Sequence, residues 1–117
     1  MKNFKQLKIW QKGFLIAIEA YKLIETFPKT ERYGLSSQIT EAAVSIPSNI
    51  AEGSSRSSEK DYSRFIEISL GSSFELETQV LISQALNFGD QDLRKKILLE
   101  IEQEHMMIHS FLNTLKK

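Results

Sequence analysis

Two imidazoles, His105 and His109, stand four residues apart, with Glu102 three residues before the first. On a helix that spacing gathers all three on one side, and Glu-x-x-His is the ligand pattern of di-iron helical bundles. Such a centre needs the pattern again on a second helix, and glutamates from two others. No histidine exists outside this pair. His105 also falls within an apolar stripe, which favours a core or interface histidine. A metal-binding bundle using Glu102, His105 and His109 is therefore the alternative reading, and no cofactor is expected. Glu41, Glu52, Glu67, Glu75 and Glu77 read as solvated helix faces or ion-pair partners.

Nucleophilic chemistry has less support. Ser45, Ser48 and the run Ser54-Ser55-Arg56-Ser57-Ser58 lack a Gly-x-Ser-x-Gly setting. No glycine loop is placed to cradle phosphate, because Gly71-Ser72-Ser73 lies inside a helical pattern and reads as a packing device. The expectation is that the protein is not an enzyme. Phosphate tracking is a more serious candidate. Lys5, Lys8 and Lys12 recur at spacings of three and four, so one helix face would carry all three. Arg56, Lys60 and Arg64 form a second line. Rows of this kind suit the backbone of RNA or DNA, although the same lysines could simply solubilise an exposed face.

These residues sit on four predicted helices. The first starts after Asn3 as its cap and runs to Phe27, where Pro28 stops it. Phe14, Ile18, Tyr21 and Ile24 make one apolar face and Leu15, Ile16 and Leu23 a second, more than one small bundle can cover. A turn follows, with a short helical turn at residues 30–33. The second helix spans Leu35 to Ala51, contains Pro47, and is closed by Gly53 as a C-terminal glycine. Ser58 and Asp61 resemble a capping box opening a third helix that reaches Asn87. Its inward face is Tyr62, Phe65/Ile66, Ser69, Ser73, Leu76, Val80 and Ser83. Asp90 or Asp92 caps the fourth, with the stripe Leu93, Ile97, Ile101, His105, Ile108, Leu112 and Leu115. Phe14, Tyr21, Phe65, Phe74 and Phe111 are expected in the core, and Trp10 at an interface. The fold is thus an all-α, up-down antiparallel four-helix bundle with a proline-kinked second helix.

Composition sets the bounds. The chain of 117 residues makes one domain, residues 1–117, and 41% hydrophobic with 26% charged residues argues against disorder. The absence of cysteine excludes disulfides and thiolate metal sites and suits a reducing cytoplasm. No apolar run approaches the length that spans a membrane. Net charge is zero but unevenly placed: up to Leu35 seven basic residues face three acids, and from Ser36 to Gly89 three face seven. A polarised, neutral surface suits protein association at least as well as nucleic acid.

Several segments together carry a family resemblance. They are Leu7 to Gln11, Phe27-Pro28, Glu31 to Ile39, the block Ala42-Ala43-Val44-Ser45-Ile46-Pro47-Ser48-Asn49-Ile50-Ala51-Glu52-Gly53, Phe65, and Gly71-Ser72 with Glu75 to Thr78. The chain resembles the bacterial four-helix bundle proteins first named for reading frames within 23S rRNA intervening sequences. That resemblance implies a homo-oligomeric ring, typically of five subunits, with no enzymatic activity. It also implies kinship with the accessory variability determinant of diversity-generating retroelements, a basic ring that binds nucleic acid and a reverse transcriptase. One departure is Thr40-Glu41, where members often carry arginines, which leaves any phosphate contact to the lysine and arginine rows above. The expected function is a cytoplasmic binding or scaffold module with RNA, DNA or another protein as partner. Trp10, Leu15, Pro47, Asn49, Glu52, Gly53, Gly71 and Ser72 are assigned to packing or subunit contact.

Overall fold

Asn3 does cap the first turn, its side chain accepting the Lys5 amide, but the helix does not continue from there. In the computed structural model, which describes residues 3–115, Phe4–Gln6 is a single 3-10 turn and Leu7 is extended, its side chain packed on the core. Four helices follow: α1 (Lys8–Ile24), α2 (Leu35–Ser54), α3 (Glu59–Ala85) and α4 (Gln91–Leu115), with a second 3-10 turn at Lys29–Glu31. Both ends of the first predicted helix are therefore shorter than the sequence suggests. No strand occurs among the described residues. Each helix packs against the next and α4 returns to α1.

The direction of the helices follows from contacts at one end. Phe27, just after α1, stacks at a tilt on Phe88, just after α3, with ring centres 5.9 Å apart. The Asp90 amide donates to Thr26 Oγ1 at 2.9 Å. This end therefore holds the close of α1 and α3 and the start of α2 and α4, which is the up-down antiparallel arrangement. The tight α3–α4 turn requires Gly89: its φ is +79°, and an added Cβ would meet the Phe27 ring at 2.7 Å. Arg94, buried on α4, donates to the Phe88 and Gly89 carbonyls and holds the turn closed.

Helix α3 begins as its sequence indicates, with Ser58 Oγ accepting from the Asp61 amide. It buries Tyr62, Ile66, Ser69, Ser73, Leu76, Val80 and Ser83, the anticipated face. Small residues on that face let α2 come close, and Ser69 donates to the Ile46 carbonyl at 2.8 Å, beside Pro47. Helix α2 runs through Pro47, which is buried. Its missing N–H removes one helical bond, at a cost of roughly 3 kcal/mol that packing on both sides offsets. Gly53 differs from its expected role. It lies inside α2, which runs on to Ser54, and an added Cβ there would stand 2.9 Å from Phe65 Cβ and 3.2 Å from the Tyr62 carbonyl. Close approach of α3, rather than helix termination, is what it permits.

Helix α1 corrects a second expectation. Its core face is Ile9, Gly13, Ile16, Ala17, Ala20 and Leu23, while Phe14 and Tyr21 are half exposed. Phe74 on α3 is likewise half exposed, not core. Small residues at the α1 seam bring the neighbouring helices in and leave the aromatic rings outside.

Candidate interaction surfaces and a buried carboxyl cluster

The rings left outside α1 line a groove against α2. Trp10, Phe14, Ile18 and Tyr21 form one wall and Val44 and Pro47 the other, enclosing about 350 Å³. Trp10 is held between Phe4 and Phe14, with ring centres 5.3 and 5.2 Å away. Leu15, the next residue round, is also partly open to solvent. On the opposite pair of helices, Phe74 and Leu81 of α3 lie seven residues apart and so share a face, both nearly half exposed. Phe74 stacks on His105 of α4 at 4.1 Å. The bundle thus carries two separate apolar surfaces.

The other residues singled out for packing divide. Ser72 Oγ lies 2.7 Å from Ser45 Oγ across the α2–α3 seam, and Asn49 Nδ2 donates to the same Ser45 hydroxyl. Glu52 is exposed and pairs with Arg56 one turn on. Gly71 faces outward, with no atom within 4 Å of where a Cβ would stand.

The basic rows are unequal. Lys5 and Lys8 are exposed, but Lys5 lies in the 3-10 turn, so the row is not one continuous helix face. Lys12 points into the α1–α4 seam, 3.8 Å from Glu100 Oε2. Arg56 pairs with Glu52 and lies over the Phe65 ring at 4.6 Å, and Arg64 faces Asp61 at 3.7 Å. Lys60 is exposed. Lys5, Lys8 and Lys60 are thus the members of the two rows without a carboxylate partner among the described residues.

The side chains of the histidine pair and Glu102 are not gathered together in the structure. Glu102 and His109 are exposed, whereas His105 turns toward Phe74. Among the described residues no group of three His, Cys, Asp or Glu side chains is placed to hold a metal ion.

A titratable cluster does exist, on the inward face of the α1–α4 seam, and its members were not anticipated. Glu19 of α1 and Glu100 and Glu104 of α4 are all buried. Lys96 approaches Glu19 Oε2 at 3.2 Å from the solvent side. Burial pushes the Glu100 carboxyl up to about 7, helped by the neighbouring Glu19 carboxyl, while Lys12 and Lys96 pull the other way. Glu104 is fully buried, with neither oxygen hydrogen-bonded among the described residues. Its Oε2 rests beside Gly13, 3.1 Å from where a Cβ would be, next to Ile46 and Pro47 of α2. Desolvation raises it to about 8, against a smaller opposing pull from Lys12. A carboxyl in such a place is held in its neutral form at pH 7. Register alone leaves two candidates for the inward position, since Glu104 and His105 both stand three or four residues from Ile101 and Ile108, and in the structure Glu104 is the one fully buried.

Comparison with known proteins adds two findings. The profile of the 23S rRNA-intervening sequence protein family matches residues 5–110. A solved structure from Bacteroides thetaiotaomicron, described as a protein of unknown function from the S23 ribosomal protein family, superposes with a TM-score of 0.79. The two share 19% identity over 89% of this chain and 97% of that one, a likeness of fold. No curated protein matches the chain. No helix among the described residues is long and apolar enough to cross a membrane.

Proposed function

The chain belongs to the 23S rRNA-intervening sequence protein family, and from that premise we propose that it is a non-enzymatic scaffold of the cytoplasm that assembles with copies of itself. The observation that carries this reading is the groove on α1 and α2. Phe14, Ile18, Tyr21 and Val44 each leave 40% or more of their surface open there. Contiguous apolar patches of this kind on a small domain mark interaction sites. The second apolar surface, at Phe74 and Leu81, is a different one. A contact that joins two different patches is head-to-tail and closes into a ring when the rotation permits. Five subunits is the number that the resemblance implies.

Nucleic acid is the second partner in this proposal, met by Lys5, Lys8 and Lys60, whose ammonium groups have no carboxylate partner among the described residues. The test has two arms. Light scattering on Ile18→Lys, a substitution at a half-exposed position that leaves the core intact, should show a smaller mass than the parent protein. Fluorescence anisotropy with labelled structured RNA and single-stranded DNA should show saturable binding that weakens steeply with salt and is lost when Lys5 and Lys8 become glutamine. An unchanged mass would remove the groove from the assembly. Absence of binding even at low salt would leave a scaffold whose partner is another protein.

A further inference from the structure

Where α1 gives way to α2, a cavity of about 580 Å³ opens among Tyr21, Phe27, Lys29, Arg32, Ser36 and Ser37. That is the size of a small-molecule site. Three features of it point to one kind of ligand. The start of α2 is uncapped: Gly34 precedes the helix, no side chain accepts its first amides, and its first turn contains no acid. The amides of Leu35, Ser36 and Ser37 have no acceptor among the described residues. Helix α1 also lacks a side-chain cap, whereas α3 and α4 are capped by Ser58 and Asp90.

The second feature is Ser36. The residue is 7% exposed and lines the cavity, and its hydroxyl makes no hydrogen bond to another described residue. The neighbouring hydroxyls are occupied, Ser37 donating to the Gly34 carbonyl and Thr40 to the Ser36 and Ser37 carbonyls. The third feature is the division of the walls. Arg32 and Lys29 bring two cations against a single lining carboxylate, Glu25, while Tyr21, Phe27 and Pro28 supply a flat apolar side. Glu31 stands beside Gly34, outside the lining.

We propose that this cavity binds a phosphate monoester carried on a flat ring, the chemistry of a nucleotide. The phosphate sits at the α2 N-terminus, taking hydrogen bonds from the Ser36 and Ser37 amides, the Ser36 hydroxyl and the Arg32 guanidinium. The ring lies against Tyr21. Two sources offer this chemistry, a free mononucleotide and the 5′-phosphorylated end of a nucleic-acid strand. Tyr21 also lines the groove on α1 and α2, so this reading shares one residue with the proposed self-association, while the lysine rows do not enter it.

Calorimetric titration of the full chain distinguishes the outcomes. The probes are adenosine 5′-monophosphate, adenosine, and one hexanucleotide with either a 5′-phosphate or a 5′-hydroxyl. The monophosphate should bind at least about 10-fold more tightly than adenosine, and Arg32→Gln should weaken it by about 10-fold, the worth of one charge-assisted hydrogen bond. Ser36→Ala, nearly isosteric and compatible with a helix, should weaken it several-fold with an unchanged circular-dichroism melt. Binding of the 5′-phosphorylated strand but not the 5′-hydroxyl strand assigns the site to strand ends; binding of the mononucleotide alone assigns it to free nucleotides. Equal affinity for adenosine and its monophosphate, no binding of either phosphate at millimolar concentration, or affinities untouched by both substitutions would overturn the proposal.

Discussion

Replacing Glu104 by glutamine should change how stability depends on pH far more than it changes stability in acid. In the folded chain this carboxyl is fully buried beside Gly13 and Pro47 and titrates near 8, against 4.5 when exposed. The folded state therefore holds a proton that the unfolded chain releases between those two values. The proton's contribution is fully present below pH 4.5 and drains away as pH rises through the folded value. At about 1.4 kcal/mol for each tenfold change in proton affinity, the loss reaches about 3 kcal/mol by pH 7 and about 5 kcal/mol by pH 9. Glutamine keeps the shape and cannot ionise. Urea unfolding at pH 5, 7 and 9 should find parent and variant within about 1 kcal/mol at pH 5, since a neutral acid and an amide are similar in size and polarity. At pH 9 the variant should be the more stable by several kcal/mol. Some slope should remain in the variant, because Glu100, raised to about 7 beside Glu19, titrates in the same direction. Parallel curves for the two proteins from pH 5 to pH 9 would refute the argument, and would mean that Glu104 reaches water or a partner when ionised.

Three further substitutions follow, two at the α2–α3 seam and one on the outer face of α3. Gly53→Ala should cost about 1–3 kcal/mol net by thermal unfolding, because the new methyl collides with Phe65 Cβ and the Tyr62 carbonyl, outweighing alanine's helix preference of about 1 kcal/mol. Gly71→Ala, also inside a helix but facing open space, should stabilise by about 0.5–1 kcal/mol in the same assay, provided that no subunit meets it there. Ser72→Leu should destabilise by roughly 1–3 kcal/mol through overpacking against Ser45; an unchanged melt would place residue 72 in solvent.

How much the sequence revealed depends on what each helix buries. On α3 the apolar and serine positions recur at helical spacing, and the face from Tyr62 to Ser83 is the buried one. On α1 the rule that large rings turn inward fails. Gly13, Ala17 and Ala20 hold the seam, and hydrophobic periodicity gives such small residues little weight against Phe14 and Tyr21. Gly53 near the end of a helical run looks like a terminator until the approach of Phe65 and Tyr62 is known, which is a tertiary fact. Glu100 and Glu104 are charged residue types that are seldom fully buried, and the register of Ile101 and Ile108 suits His105 as well as Glu104, so the sequence favoured the histidine. The partners of Lys12, Arg56 and Arg64 belong partly to other helices or depend on rotamers, so the basic rows looked freer than they are. The cavity at the start of α2 combines side chains from the end of α1, the connecting turn and the first turns of α2, a grouping that only the fold creates.

The central claim is that the apolar groove is covered by a second copy of the chain. The mass of the unmodified protein in solution, by sedimentation or light scattering at micromolar concentration, tests it most directly. A closed assembly of several 13.4 kDa chains is expected, persisting on dilution and shrinking with Ile18→Lys. A monomer of 13.4 kDa across the accessible concentration range would contradict it.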